Sequence, residues 1–197
     1  LAAGVWKCRG AGTGPVYQDK PCAPGEAVRD LVADRPALSV VPLALLDEPW
    51  TRGRKLLVLE PRRLAARAVA TRMAATLGEQ VGERVGYRMR LDTKVSRVTR
   101  IEVITEGVLT RRLQDDPALE DTAAVLFDEF HERSLHADVG LALTLEARAA
   151  LRPDLRVLVM SATLDGEAVA KLLGAAPIVT TSGRMFPVEI RHLGRGM

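Results

Sequence analysis

Aromatic side chains are scarce: two Trp, two Tyr and three Phe make up 4% of the 197 residues. A core for a chain of this length must then be built from Leu, Val and Ala. No apolar run approaches the ~20 residues that a membrane-spanning helix needs, which excludes a bilayer-crossing segment of that kind. Cysteine occurs only at Cys8 and Cys22, so nothing beyond position 22 is stapled by disulfides or built around a thiolate metal site. Lysine is also rare, and 23 of the 28 basic residues are Arg. No Gly-Lys dipeptide occurs anywhere. The loop G-x-x-x-x-G-K-[ST], whose backbone N–H groups wrap nucleotide phosphates, is therefore absent.

What remains is 47% apolar and 27% charged, a composition of folded rather than disordered chains. The length suits one ordinary domain with a small appendage, on a prior of ~100–200 residues per domain. Net charge is only +3. Arg makes planar, two-pronged hydrogen bonds to phosphate, so the Arg excess is compatible with a nucleic-acid partner. It is equally compatible with a bias toward Arg and Ala throughout the source proteome.

The chain reads as two pieces. Residues 1–40 are rich in Gly and Pro (Gly10, Gly12, Gly14, Pro15, Pro21, Pro24, Gly25) and show little periodicity. Val5–Cys8 and Val16–Asp19 suit two short strands around a Gly-rich turn, with Cys8 and Cys22 placed to close a local disulfide. The small residues Leu1-Ala2-Ala3-Gly4 fit the tail of a secretory signal. With its Lys-Cys, Tyr-Gln-Asp and Pro-Cys elements, this piece resembles a small two-cysteine domain of bacterial exported proteins.

From Val41 the texture changes. Lys55–Glu60 is a short apolar run ending at Pro61, as expected of a buried strand. Arg62–Leu77 lacks Gly and Pro and reads as a helix stopped by Gly78. Further strands are expected at Arg100–Thr105, Ala123–Asp128, Arg156–Met160 and Ile178–Thr180. Helices are expected at Glu106–Gln114, Arg133–Leu151 (closed by Pro153) and Gly166–Leu173. Strands alternating with helices imply βαβ units: an α/β fold with a parallel sheet and helices on both faces.

Ligands of such sheets sit at the carboxyl ends of the strands, and chemistry-bearing residues follow four of them. After the third of these strands comes Asp128-Glu129-Phe130-His131. Adjacent carboxylates there suit magnesium–nucleotide chemistry, the first holding the cation through water and the second acting on the attacking water. Ser161-Ala162-Thr163 follows the fourth strand, with two hydroxyls able to bond the His131 side. Pro61-Arg62-Arg63 follows the first and Thr105-Glu106-Gly107 the second. Two cations opening a helix oppose its dipole, a local cost that points to a ligand. Arg88, Arg90, Arg111 and Arg112 read as exposed charges, and His136 and His192, lacking ligand partners at metal spacing, as structural.

In this order the four segments resemble motifs Ia, Ib, II and III of superfamily 2 helicases. Asp-Glu-x-His followed by Glu132-Arg133-Ser134 places the resemblance on the DEAH side. It extends from Val41 to about Arg191 through Val-Pro-Leu-Ala-Leu-Leu-Asp from Val41, Leu-Glu-Pro-Arg-Arg-Leu-Ala-Ala-Arg from Leu59, Val-Gly-Tyr-Arg from Val85, Ile-Thr-Glu-Gly from Ile104, Phe-Asp-Glu-Phe-His-Glu-Arg-Ser from Phe127 and Met-Ser-Ala-Thr-Leu-Asp-Gly from Met160. The resemblance implies a RecA-like domain of P-loop NTPase type, with ATP and magnesium as cofactors and single-stranded RNA or DNA as partner. Asp128 would hold magnesium through water, Glu129 would act on the attacking water, and His131, Ser161 and Thr163 would couple the nucleotide site to movement. Pro61, Arg62, Arg63, Thr105 and Gly107 would grip the sugar–phosphate backbone without reading sequence.

The sequence departs from that family where the phosphate loop belongs. The slots of its Lys and hydroxyl residue fall on Ala37 and Leu38, and neither side chain binds phosphate or metal. The strand that precedes the loop is then missing from the sheet, and Ser39–Leu46 is the stretch available to extend into the gap, although Pro42 cannot donate a sheet hydrogen bond. The expected organisation is residues 1–40 as the two-cysteine segment, 41–190 as a truncated first RecA-like domain and 191–197 as the start of a linker to a second. The leading expectation is a cytoplasmic helicase domain. The alternatives are a catalytically silent nucleic-acid-binding or regulatory module, and an exported protein whose function lies in residues 1–40.

Overall fold

The computed structural model describes residues 5–9, 15–18, 27–31, 37–51, 53–162 and 166–180. The chain divides into two compact units, the larger spanning Arg35–Ile178. In the smaller unit β1 (Val5–Arg9), β2 (Pro15–Gln18) and β3 (Ala27–Leu31) form an antiparallel sheet in the order β2-β1-β3. The two expected strands pair, with Cys8 opposite Val16. The third strand, Ala-Val-Arg-Asp-Leu, lacks the alternation that would have announced it. Cys22 lies outside the described residues, and the expected Cys8–Cys22 pairing lies there with it.

The larger unit runs α1 (Ala37–Leu45), β4 (Lys55–Leu59), α2 (Arg63–Thr76), β5 (Val85–Met89), β6 (Asp92–Lys94), β7 (Ile101–Ile104), α3 (Glu106–Asp115), β8 (Thr122–Phe127), α4 (Leu135–Ala150), β9 (Arg156–Val159) and α5 (Gly166–Leu172). Its sheet has the order β6-β5-β7-β4-β8-β9. All neighbours pair parallel except β5 and β6. This is the expected α/β architecture of RecA-like type. The central strands are apolar on both faces because both faces are covered: every residue of β7 and β8 is buried.

Alternation along β4 divides the core in two. Leu56 and Val58 join Leu45 and Leu46 at the end of α1 and Ala66, Ala70, Met73 and Ala74 of α2. Leu57 and Leu59 join Leu109 and Leu113 of α3 and Ala137, Leu141 and Ala147 of α4. The buried residues of α2 are spaced four, three and one apart, which puts them on one helical face. Gly78, at φ +72°, ends that helix as expected.

Three segments depart from expectation. Ser39–Leu46 does not extend: the helix α1 takes Ala37–Leu45 with Pro42 inside it. Packing of Leu45 and Leu46, each 7% exposed, outweighs the missing proline N–H and the β-preference of Val40-Val41. The hairpin β5–β6 was not anticipated, since Gly86 and Arg88 interrupt any strand-like pattern. Gly86 is required there, because a Cβ at that position would lie 2.4 Å from the Lys94 carbonyl oxygen. Ile178–Thr180 forms no strand; Ile178 and Val179 are 53% and 58% exposed. Among the described residues no strand pairs with the outer side of β9, so β9 is an edge whose Val157, Leu158 and Val159 stay half-buried.

The most deeply buried acid among the described residues, Glu102, sits in this core. Glu102 of β7 accepts from Arg88 Nε at 2.6 Å and Arg112 Nη2 at 2.8 Å, with Lys55 Nζ at 3.9 Å. Arg88 and Arg112 are thus not the plain exposed charges expected of them; they join β5 and α3 to β7 through one carboxylate. Arg111 does face solvent, paired loosely with Asp115 at 3.8 Å. Cutting a buried pair leaves a charge without its partner, which costs about 3 kcal/mol or more. Glu102→Ala is therefore expected to lower unfolding free energy in urea by about 3 kcal/mol. A loss below about 1 kcal/mol would show that the network contributes nothing beyond an exposed pair.

Candidate functional site

The parallel ladder delivers four strand ends to one edge. Asp128 follows β8, and its backbone N–H donates to the Leu59 carbonyl at 3.1 Å, tying it to the end of β4. Glu60 follows β4, and its N–H donates to the Ile104 carbonyl at 2.9 Å, tying it to the end of β7. On the other side, Met160 N–H donates to the Phe127 carbonyl at 2.8 Å and Phe130 N–H to the Met160 carbonyl at 3.2 Å. Thus β7, β4, β8 and β9 are pinned to each other at the point where their chemistry begins.

Beyond Asp128 the chain makes a single 3-10 turn, Phe130–Glu132. It is bracketed by Glu129 and Arg133, both at φ +48°, a left-handed backbone that residues with a Cβ adopt at a cost of about 1–3 kcal/mol each. The turn is held by its contacts. Phe130 is buried edge-on to Phe127 at 6.2 Å between ring centroids. His131 Nδ1 accepts from the Ala162 N–H at 3.5 Å, while its Nε2 lies 3.3 Å from Glu129 Oε2. That pattern assigns the proton to Nε2. The contact from the β9 side comes from the Ala162 backbone, whereas Ser161 is exposed and Thr163 lies outside the described residues. Ser134 caps α4, its Oγ accepting from Ala137 N–H at 2.9 Å and donating to Glu106 Oε1 at 2.6 Å.

The gripping candidates sit on the same edge. Arg62 is the N-cap of α2, and both its Nε and Nη2 reach the Glu132 carboxylate, Nε at 3.3 Å. Arg63 Nη2 donates to the Arg90 carbonyl at 2.9 Å in the β5–β6 turn. Thr105 is the N-cap of α3 but its hydroxyl does not cap, and a Cβ on the exposed Gly107 would meet nothing within 4 Å. That leaves room for a backbone to approach closely. His136 is exposed on the first turn of α4, and His192 lies outside the described residues.

Sequence reasoning passed over Glu60, Glu106 and Glu132. Glu60 is 2% exposed. Burial, with the charges of Asp128, Glu129 and Glu132 adding to it, pushes its carboxyl up to about 7 against the pull of the Arg62 N–H. Burial and the Glu129 charge likewise raise Asp128 to about 6. Asp128 Oδ2 is buried without a hydrogen-bond partner. Among the described residues there is no cluster of three metal-ligating side chains. Magnesium does not need one, since it keeps most of its waters and takes one or two carboxylates. A buried carboxylate oxygen that receives no N–H, with the Glu60 carboxyl as its acidic neighbour, fits such an ion. The signal available in the sequence was the carboxylate directly at the strand end, in Leu59-Glu60-Pro61.

Adjacent carboxylates at one strand end, flanked by arginine- and threonine-bearing strand ends on a mostly parallel sheet covered on both faces, fit a RecA-like domain of the helicase class. The chain belongs to the DEAH-box RNA helicases. It is 54% identical over 153 residues to the ATP-dependent RNA helicase HrpB of Escherichia coli (strain K12), a match that takes in 78% of this chain and 19% of that protein. It is 42% identical over 149 residues to the pre-mRNA-splicing factor ATP-dependent RNA helicase prp22 of Schizosaccharomyces pombe, covering 75% of this chain and 13% of that one. To the human ATP-dependent RNA helicase DHX30 it is 32% identical over 209 residues, covering 96% and 17%. Crystal structures of E. coli HrpB superpose with TM-scores of 0.72 and 0.69 at 52% and 54% identity, over 78% and 76% of this chain and 19% and 18% of theirs. The chain therefore spans at most 19% of any of these relatives. No family model matches it. No helix among the described residues is long and apolar enough to cross a membrane.

The two raised carboxyls set a pH dependence. A folded-state pKa above the unfolded value means that the native state binds more protons between about 4.5 and 7, so stability falls as pH rises through that window. Urea unfolding from pH 4.5 to 8 is expected to show that decline, and Glu60→Gln to make it shallower. An identical slope in the variant would mean that Glu60 is ionised throughout.

Proposed function

We propose that this domain grips the backbone of a single nucleic-acid strand and carries the cation-handling half of an ATP-driven helicase site. The observation that carries the reading is the meeting of Arg62, Arg63 and Thr105 with Asp128 and Glu129 on one edge of the sheet. Arg62 and Arg63 contribute charge to phosphates, and Thr105 and Gly107 admit the sugar–phosphate chain close to the start of α3. None of these groups reads a base edge, so binding is independent of sequence. RNA is the favoured strand because the relatives are named RNA helicases. The working location is then cytoplasmic.

Magnesium-bound ATP, when present, supplies a phosphoryl group for transfer to water. Toward it Asp128 offers its buried Oδ2 to the hydrated ion, and Glu129, beside Nε2 of His131, is placed to orient a water and receive its proton. His131 passes the state of that carboxylate to the end of β9 through Ala162, with Ser161 and Thr163 in the same segment. In this reading residues 41–190 are the functional domain, 1–40 a separate two-cysteine segment with a candidate Cys8–Cys22 bridge, and 191–197 the start of a linker toward a second such domain.

A second reading is favoured by one feature. The helix α1 opens at Ala37, with Leu38 next, where the phosphate-binding Lys and hydroxyl belong. The chain by itself then grips nucleic acid without turning over ATP.

Fluorescence anisotropy with single-stranded oligonucleotides tests both. Affinity is expected to fall steeply with salt, and Arg62→Ala/Arg63→Ala to reduce the slope of log K against log salt by about 1.4. Magnesium-ATP turnover is expected to be absent from the chain alone. Turnover that disappears in Glu129→Gln would overturn the reading of a missing phosphate cradle, and salt-insensitive or absent binding would overturn the gripping edge.

A further inference from the structure

The grip just described is not open in the free protein. Arg62, whose side chain is 70% exposed, presents Nε and Nη2 side-on to the two oxygens of Glu132. That parallel fork is the geometry in which an arginine takes a phosphate. Glu132 arrives there from seventy positions away in the chain, on the turn Phe130–Glu132, and its own N–H donates to the Glu129 carbonyl at 2.9 Å. The other outward side chains of this loop point elsewhere: Arg133 to Asp138 at 3.0 Å, Ser134 to Glu106. Arg63 keeps a neutral partner, the Arg90 carbonyl. Of the two adjacent arginines, Arg62 is therefore the one held by a charge.

We propose that Glu132 is a phosphate stand-in: it occupies Arg62 in the free domain, and a backbone phosphate must displace it to bind. The inference rests on the nucleic-acid reading of this edge and adds to it a residue that sets the threshold for loading. Exchange at Arg62 also breaks a tether between the start of α2 and the strained turn beside Asp128 and Glu129. Occupancy of the strand is thereby felt at the cation carboxylates through an ion pair rather than through a moving domain. Glu132 contacts neither the cation position nor a base in this scheme; it acts through Arg62 and is a positioning residue.

The test uses the full chain and a single-stranded oligouridylate at low salt, with anisotropy as the readout. Glu132→Gln keeps the shape of the side chain and removes the competing charge. It is expected to tighten binding about two- to five-fold, the range an exposed ion pair is worth. Loss of a negative charge alone would tighten binding a little through the general field, so Glu146→Gln, exposed on α4, serves as the charge control and is expected to change affinity by less. The decisive comparison is in the Arg62→Ala background, where adding Glu132→Gln is expected to change affinity no more than the Glu146→Gln control does, because the side chain it competes for is gone. An equal gain in both backgrounds, or unchanged or weaker binding in Glu132→Gln alone while the unsubstituted chain binds, overturns the exchange and leaves the gripping edge standing. Failure of every variant to bind overturns the gripping edge, and the exchange with it.

Discussion

The parallel ladder between β4 and β8 is the interaction on which the rest hangs. Leu56 to Leu59 lie in register with Ala124 to Phe127, so both strands end together and the N–H of Asp128 closes the ladder on the carbonyl of Leu59. Both strands are buried on both faces, which leaves their ends as the place where charge can appear. Shifting that register by one residue would carry Leu57 and Leu59 into the other half of the core and displace Asp128 from Glu60. The chemistry of the edge is thus a consequence of how an apolar sheet must terminate.

Electrostatics follow from the same termination. Glu60, Asp128, Glu129 and Glu132 collect where the backbone turns back on itself; burial and the Glu129 charge push the carboxyls of Glu60 and Asp128 up toward neutral pH, with Asp128 and Glu132 adding to the shift of Glu60. Uncompensated acids of this kind are a cost to the free domain, which a divalent cation offsets by favouring their ionised forms. Arg62 answers one of the four charges in the meantime. In the proposed function a cation and a strand would meet neighbouring members of one charge cluster, a direct physical route by which each would bias the other.

Much of this was legible in the residues. Short apolar runs marked β4, β8 and β9, and a stretch rich in Ala, Arg and Leu without Gly or Pro, stopped by Gly78, marked α2. The residues bearing chemistry could be placed because in a parallel sheet they follow strands, and the strands could be counted. The remainder depended on contacts between distant positions. Nothing around Ser39–Leu46 distinguishes a helix from a strand until Leu45 and Leu46 find the core. Ile178–Thr180 has the composition of a strand but pairs with none of the strands among the described residues, and Ile178 and Val179 stay more than half exposed. Glu132 stands in the sequence only as part of Glu132-Arg133-Ser134 until the turn after β8 brings it to Arg62, and Glu102 only as one residue of the strand Arg100–Thr105 until Arg88 and Arg112 converge on it.

The central claim is that the ends of β4 and β7 form one continuous strand-binding edge beside Asp128. Amide hydrogen exchange of the chain with and without a saturating single-stranded oligonucleotide tests it most directly. The account predicts that the first-turn amides of α2, from Arg63, and of α3, from Glu106, slow together on loading. Their exposed first-turn N–H groups are the ones a bound backbone would shield. Slowing confined to the open groove lined by Arg67, Thr71 and Lys94, with both first turns unaffected, would contradict it.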